Sequence, residues 1–151
     1  MIIVNIKKTN PDAVIPCKTF ESDACYDCVA VSEEEIAPNV WKYGLGLAFQ
    51  LERGRAWEDV DDIQFFIDAR PRSSVWKTGM ILSNCVGTID EHYTGEVSAV
   101  FYHVMPNMPR YKVGDRICQI KLGSAESMYF VEVKELVDTD RGEGGYGSTG
   151  K

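Results

Sequence analysis

The sequence predicts an all-β fold, a sandwich or barrel of many short strands with at most one short helix. Three observations carry this expectation. Apolar side chains recur at a period of two or in short runs, seldom at helical spacing. Those runs are rich in β-branched and aromatic residues, which suit a pleated, half-buried surface. Glycine, proline and charged residues stand between them, where turns are expected.

The first strand is expected at the N-terminus, where Ile2, Val4 and Ile6 alternate with Ile3, Asn5 and Lys7. Further strands are expected over 45–51, 63–67, 96–104, 117–122 and 128–137. One short helix is expected over 73–79, between a serine N-cap and the stop at Gly79. The segment 53–62 (RGRAWEDVDD) is polar and acidic between apolar runs, and reads as an exposed loop or insertion. The last segment, 141–151 (RGEGGYGSTGK), holds five of the thirteen glycines and has no apolar run. It is expected to be either a frayed terminus or a flap whose amides, hydroxyls and arginine close on an anion. With no repeat and no linker, the 151 residues read as one β domain over 1–140 followed by that tail.

Composition narrows the function. The chain carries 16 basic and 23 acidic side chains, a formal net charge of −7, which argues against stable binding to a nucleic-acid backbone. Any phosphate chemistry then needs a local site, with a metal ion to neutralise charge. The start MIIVNIKK has no basic n-region and only a short apolar run, so neither a signal peptide nor a membrane span is expected. Five cysteines, an odd number in a chain of this size, read as reduced thiols of a cytoplasmic protein.

Several short motifs are ambiguous alone. Cys25-Tyr-Asp-Cys28 has no second cysteine pair for zinc and no βαβ context for redox work, so it reads as two small buried thiols on a strand. Gly145 to Lys151 fits the opening of a P-loop, but lacks the final Ser or Thr and the following helix. Between Gly87 and Gly95 lie Asp90 and Tyr93, in what reads by itself as a plain hairpin turn. His92 and His103 have no partner pattern and read as surface or core residues.

Taken in order, these pieces resemble the five motifs of the trimeric dUTPase family. They are Ala24-Cys-Tyr-Asp27-Cys-Val-Ala30, Arg70-Pro-Arg72-Ser73-Ser74, Asn84 to Glu96, Val113-Gly-Asp-Arg-Ile-Cys-Gln119-Ile120, and Arg141 to Gly150. The resemblance implies a distorted jelly-roll or β-barrel, a homotrimer with composite active sites, and magnesium-assisted hydrolysis of dUTP to dUMP and pyrophosphate. It further implies that Asp90 holds and deprotonates the attacking water, and that Tyr93 packs under the deoxyribose. Asn84 and the backbone of Thr88 and Ile89 would read the uracil edge, and Ser98 would also bind substrate. Arg72, Ser73, Ser74 and Gln119 would grip the phosphates, and Asp27 would support the metal through water. Arg141, Gly147, Ser148 and Thr149 would reach the γ-phosphate while Tyr146 covers the base. The chain departs from the family pattern at Cys25 and Ser74, where glycine is usual, and at Tyr146, where phenylalanine is commoner.

Two other readings share this fold. A dCTP deaminase has the same Arg-Ser-Ser sequence, but needs a glutamate where Val100 stands here. A nucleotide-dependent regulatory binding protein would use 53–62 as its contact surface. The carboxylates Asp27 and Asp90, Gln119 and the tail favour a hydrolase.

Overall fold

The computed structural model describes residues 2–54 and 62–145. The described residues form antiparallel strands and a single 3-10 turn. In chain order the strands are β1 (Ile2–Lys8), β2 (Tyr26–Val29), β3 (Ser32–Ala37), β4 (Val40–Gly44) and β5 (Leu47–Arg53). They continue with β6 (Ile63–Pro71), β7 (Met80–Leu82), β8 (Gly87–Asp90), β9 (Ser98–His103) and β10 (Arg116–Glu126). One sheet has the order β2-β10-β6-β8, the second β3-β4-β9-β7, and β1 pairs with β5. The fold is all-β, of the jelly-roll type.

Both sheets and β5 turn one face into a common core. On β9, Ala99 and Phe101 point inward while Tyr102 is exposed, as a period of two requires. Tyr43 of β4, Phe101 and Tyr111 meet edge-on, with ring centroids 5.4–6.3 Å apart. The Tyr43 hydroxyl donates to the Tyr111 carbonyl at 2.8 Å, so its buried polar end is satisfied. Burial pushes the Tyr43 phenol above its ordinary range.

Three local expectations need correction. Residues 128–137 are not a strand: Tyr129, Phe130, Leu136 and Val137 are exposed. The last ladder pair of β10 is Glu126 with Ile63, and Ser127 N–H adds one bond to the Asp62 carbonyl. Past that point no described strand runs alongside, and β-propensity without a neighbour makes no sheet. In place of the helix over 73–79 stands the 3-10 turn Val75–Lys77, and the Ser74 side chain makes no capping bond. Gly79 does end it, at φ +60°, where a Cβ would come within 2.8 Å of the Met105 carbonyl oxygen. Of the expected Cys25/Cys28 pair, Cys28 is buried on β2, but Cys25 precedes the strand and is only half-buried. Among the described residues no helix is long and apolar enough to cross a membrane.

Candidate active site

β8 ends one sheet as an edge strand, paired to β6 from Ala69↔Gly87 to Phe66↔Asp90. An edge leaves one row of backbone donors and acceptors open to another partner. Against it opens a cavity of about 230 Å³, lined by Asn84, Thr88, Ile89, Asp90, Tyr93 and Ser98 among others. All six are residues that the resemblance assigns to substrate binding or to the attacking water.

Two glycines make this lining possible. A Cβ on Gly87 would lie 3.0 Å from the Asn84 amide nitrogen, so the bare backbone lets Asn84 lie against β8. A Cβ on Gly95 would come within 2.6 Å of the Tyr93 hydroxyl oxygen, so the Tyr93 ring lies over that glycine. The same hydroxyl donates to the Glu96 carbonyl at 3.1 Å. Tyr93 N–H donates to the Asp90 carbonyl at 3.0 Å, which closes the turn and leaves the Asp90 residue exposed at its edge.

A second cavity, of about 410 Å³, lies at the other side of that sheet's strand order, where β2, β10 and the end of β6 meet. Asp27, Arg72 and Gln119 line it, together with Cys17, Cys25 and Phe20. Gln119 faces Asp27 across β2–β10 and Arg70 across β10–β6. Its side-chain N–H donates to the Pro71 carbonyl at 3.2 Å. Arg72 donates twice to the Asp27 carboxylate, from Nε at 2.7 Å and from Nη2 at 3.2 Å. Its Nη1 donates to the Ser74 hydroxyl at 3.3 Å, so the serine that replaces the usual glycine helps to orient Arg72. Arg116 adds a third bond to Asp27, Nη1 to Oδ2 at 3.0 Å.

The carboxylate of Asp27 has about four acceptor sites, and three are taken by guanidinium groups. One remains for a water. Among the described residues no group of three or more His, Cys, Asp or Glu side chains gathers as a metal cage. This donor set fits a magnesium ion held chiefly by phosphate oxygens and waters, the usual manner for that ion at a nucleotide. The neighbouring Cys28 is fully buried opposite Cys118. Its thiol is pushed well up, first by hydrogen bonding to Cys118 and then by burial, which leaves it inert.

No described residue lines both cavities. Within the chain, then, Asn84, Thr88, Ile89, Asp90, Tyr93 and Ser98 come together, and so do Asp27, Arg72 and Gln119, as separate sets. Ser73 and Ser74 stand beside Arg72 at the entry to the 3-10 turn and line neither. Arg141 closes a turn on the Gly144 carbonyl at 2.9 Å and also lines neither. Tyr146, Gly147, Ser148 and Thr149 lie outside the described residues, as do 55–61 of the acidic segment.

Sequence reasoning passed over two contributors. Arg116 lies inside the fourth motif, and its ion pair to Asp27 joins residues 89 apart in the chain. Glu91 follows Asp90 directly and pairs with Arg53, 38 residues away. Arg53 holds the Glu91 carboxyl below the usual carboxylate range, helped by the Phe65 N–H and opposed by burial.

The family model of dUTPase matches residues 68–150. A deoxyuridine 5'-triphosphate nucleotidohydrolase of Nautilia profundicola is 35% identical over 150 residues, covering 98% of this chain and 99% of that protein. The chain belongs to the dUTPase family. A second dUTPase relative, from Clostridium kluyveri, is also 35% identical, over 96% of each chain. Among solved dUTPase structures, one from Staphylococcus bacteriophage 80alpha, a mutant with dUpNHpp, superposes with a TM-score of 0.78. It covers 99% of both chains at 19% identity, a likeness of fold. A phage phi11 dUTPase of S. aureus, described with a species-specific insert, superposes at TM-score 0.67 and 15% identity, over 89% of this chain and 97% of its own. This chain is thus a dUTPase-family enzyme on a dUTPase fold.

Proposed function

We propose that this dUTPase hydrolyses dUTP to dUMP and pyrophosphate by attack of a water on the α-phosphorus, with Asp90 as the group that positions and deprotonates it. The observation that carries this reading is the cavity on β8, where six residues assigned to substrate binding or to the attacking water share one lining. Thr88 and Ile89 lie on the edge strand β8, whose open row of backbone groups suits a uracil edge, and Asn84 lies beside them. The 4-amino group of cytosine would place a donor where uracil has an acceptor, a mismatch that discriminates strongly. Tyr93, held over Gly95 by its bond to Glu96, offers the sugar a flat apolar surface with little room for a 2′-hydroxyl.

In the chemical step the water oxygen bonds to the α-phosphorus, its proton passes to the Asp90 carboxylate, and the bond to the bridging oxygen breaks. Arg72 and Gln119 take up the charge that moves onto the leaving pyrophosphate. A magnesium ion bound with the triphosphate would neutralise the phosphate oxygens, and the free acceptor site of Asp27 would hold one of the waters around it.

The two half-sites call for more than one copy. The reading that joins them is a homotrimer in which the β8 cavity of one chain faces Asp27, Arg72 and Gln119 of another. The exposed apolar side chains over 128–137 are in keeping with a surface that a second copy covers. Residues 141–151 are assigned to a separate flap that closes on the γ-phosphate through Arg141, Gly147, Ser148 and Thr149, with Tyr146 over the base. Five free thiols are in keeping with a reducing, cytoplasmic setting.

The test offers dUTP, dCTP, dTTP and UTP with magnesium and identifies the base and phosphate products. Only dUTP is expected to turn over well, giving dUMP and pyrophosphate. Formation of dUTP or dUMP from dCTP would overturn this in favour of a deaminase. Mixing Asp90→Asn chains with Arg72→Ala chains is expected to restore part of the activity, because mixed trimers contain intact composite sites. A fully active monomer in sedimentation refutes the shared site.

A further inference from the structure

Among the described residues the four-residue edge strand β8 has one strand neighbour, β6, and their ladder stops at Phe66↔Asp90. Ladder pairing to β6 therefore ends at Asp90, and the chain just beyond it is held by the turn bond from the Tyr93 N–H to the Asp90 carbonyl. Glu91 takes over at this point. Its carboxylate accepts the Phe65 N–H at 3.1 Å, the next rung that the ladder lacks. It also accepts both arms of the Arg53 fork, Nε at 2.8 Å and Nη2 at 2.9 Å. Arg53 ends β5, and its Nη2 donates as well to the Ile63 carbonyl at 2.9 Å. Its guanidinium lies 5.4 Å from the centre of the Phe65 ring. A single carboxylate thus ties the residue after Asp90 to the end of β5 and the start of β6.

We infer that Glu91 is a positioning residue for the proposed hydrolysis, holding the Asp90 carboxylate where it meets the attacking water. The inference rests on the reading of Asp90 given above. The geometry suits orientation more than bulk stability. The Glu91 side chain is only 9% exposed, and a buried ion pair gains little over apolar packing of the same size. A bidentate fork with a backbone N–H, in contrast, sets direction as well as distance. Attack on phosphorus is sensitive to displacements of the order of an ångström.

The experiment compares the full chain with Glu91→Gln, which keeps an acceptor but loses the charge, and with Arg53→Lys, which keeps the charge but loses the fork. Each is expected to lower kcat for dUTP about 10- to 100-fold. KM and the affinity for a non-hydrolysable dUTP analogue should stay within about twofold, since binding and chemistry separate here. In an Asp90→Asn background, Glu91→Gln should cost nothing further, because the group it positions is gone. A Glu91→Gln enzyme with unchanged kcat overturns the inference, as does an equal loss with and without Asp90. If Glu91→Gln proves too unstable to assay, Arg53→Lys carries the same comparison. Failure of the unaltered chain to hydrolyse dUTP overturns the Asp90 reading itself, an outcome distinct from an active enzyme indifferent to Glu91.

Discussion

Replacing Asp27 by asparagine removes a carboxylate that anchors two arginines at the cavity between β2, β10 and the end of β6. Asp27 is 14% exposed and Arg72 is 24% exposed, so their paired hydrogen bonds at 2.7 and 3.2 Å are poorly screened. Arg116, at 51% exposure, contributes a weaker contact of about 0–1 kcal/mol. Hydrogen bonds to charged groups are worth about 1.5–3 kcal/mol, and asparagine keeps one acceptor, so the net loss should be about 2–3 kcal/mol. For a chain of this length each 1 kcal/mol moves Tm by about 2–4 °C, so a fall of about 4–12 °C is expected. Arg72, no longer held, should also bind the phosphates less well and lower kcat/KM about tenfold or more. Thermal melts at one fixed protein concentration, paired with steady-state kinetics on dUTP, measure both effects. Arg116→Ala is the control and should lose less than about 1 kcal/mol. An Asp27→Asn protein with unaltered Tm and kcat/KM would refute the reasoning, as would an Arg116→Ala protein equally damaged.

Gly95→Ala should swing the Tyr93 ring aside, since the new Cβ would stand 2.6–2.7 Å from its outer atoms. Discrimination of dUTP against UTP should fall while Tm changes little; competition assays that find the ratio unchanged would remove Tyr93 from sugar recognition. Glu33 is held below the usual carboxylate range, chiefly by its hydrogen bond from Arg110. Its lowered pKa makes the stability advantage over Glu33→Gln full above about pH 4.3, and lost as pH falls through the folded value. Urea titrations across that window should show the two proteins converging in acid, and divergence there would contradict the ion pair. Deleting residues 142–151 should leave Tm and assembly nearly unchanged while turnover falls by orders of magnitude, because closure acts mainly on the transition state. A truncated enzyme of full activity would make the tail merely frayed.

Of the strands that were legible in the sequence, β5, β6, β9 and β10 are those whose apolar runs answer to burial, whereas β1 alternates although Ile3, Val4 and Ile6 are exposed. β3 (SEEEIA) has three glutamates and exposed positions because it lies at a sheet edge, so no hydrophobic pattern marks it. β7 and β8, at three and four residues, are too short to display a period. The converse error lies at 128–137, where apolar residues suggest a strand that has no neighbour to pair with among the described residues.

What the sequence by itself determined is the family, the all-β class and the identities of the candidate residues. Each is written in local runs and motifs, and neighbours in the chain suffice to read them. Only the tertiary structure decided how those residues group. Gln119 meets Asp27 through strand register, while Asp90 and Tyr93 open onto a different cavity from Arg72. It alone revealed that Arg116 and Arg53 clamp Asp27 and Glu91 across 89 and 38 residues. The physical reason is range. Periodicity, capping and turn chemistry act between residues a few positions apart, whereas an ion pair forms wherever folding brings two charges together. Its partners carry no mark in the sequence that separates them from the other charged side chains of an acidic surface.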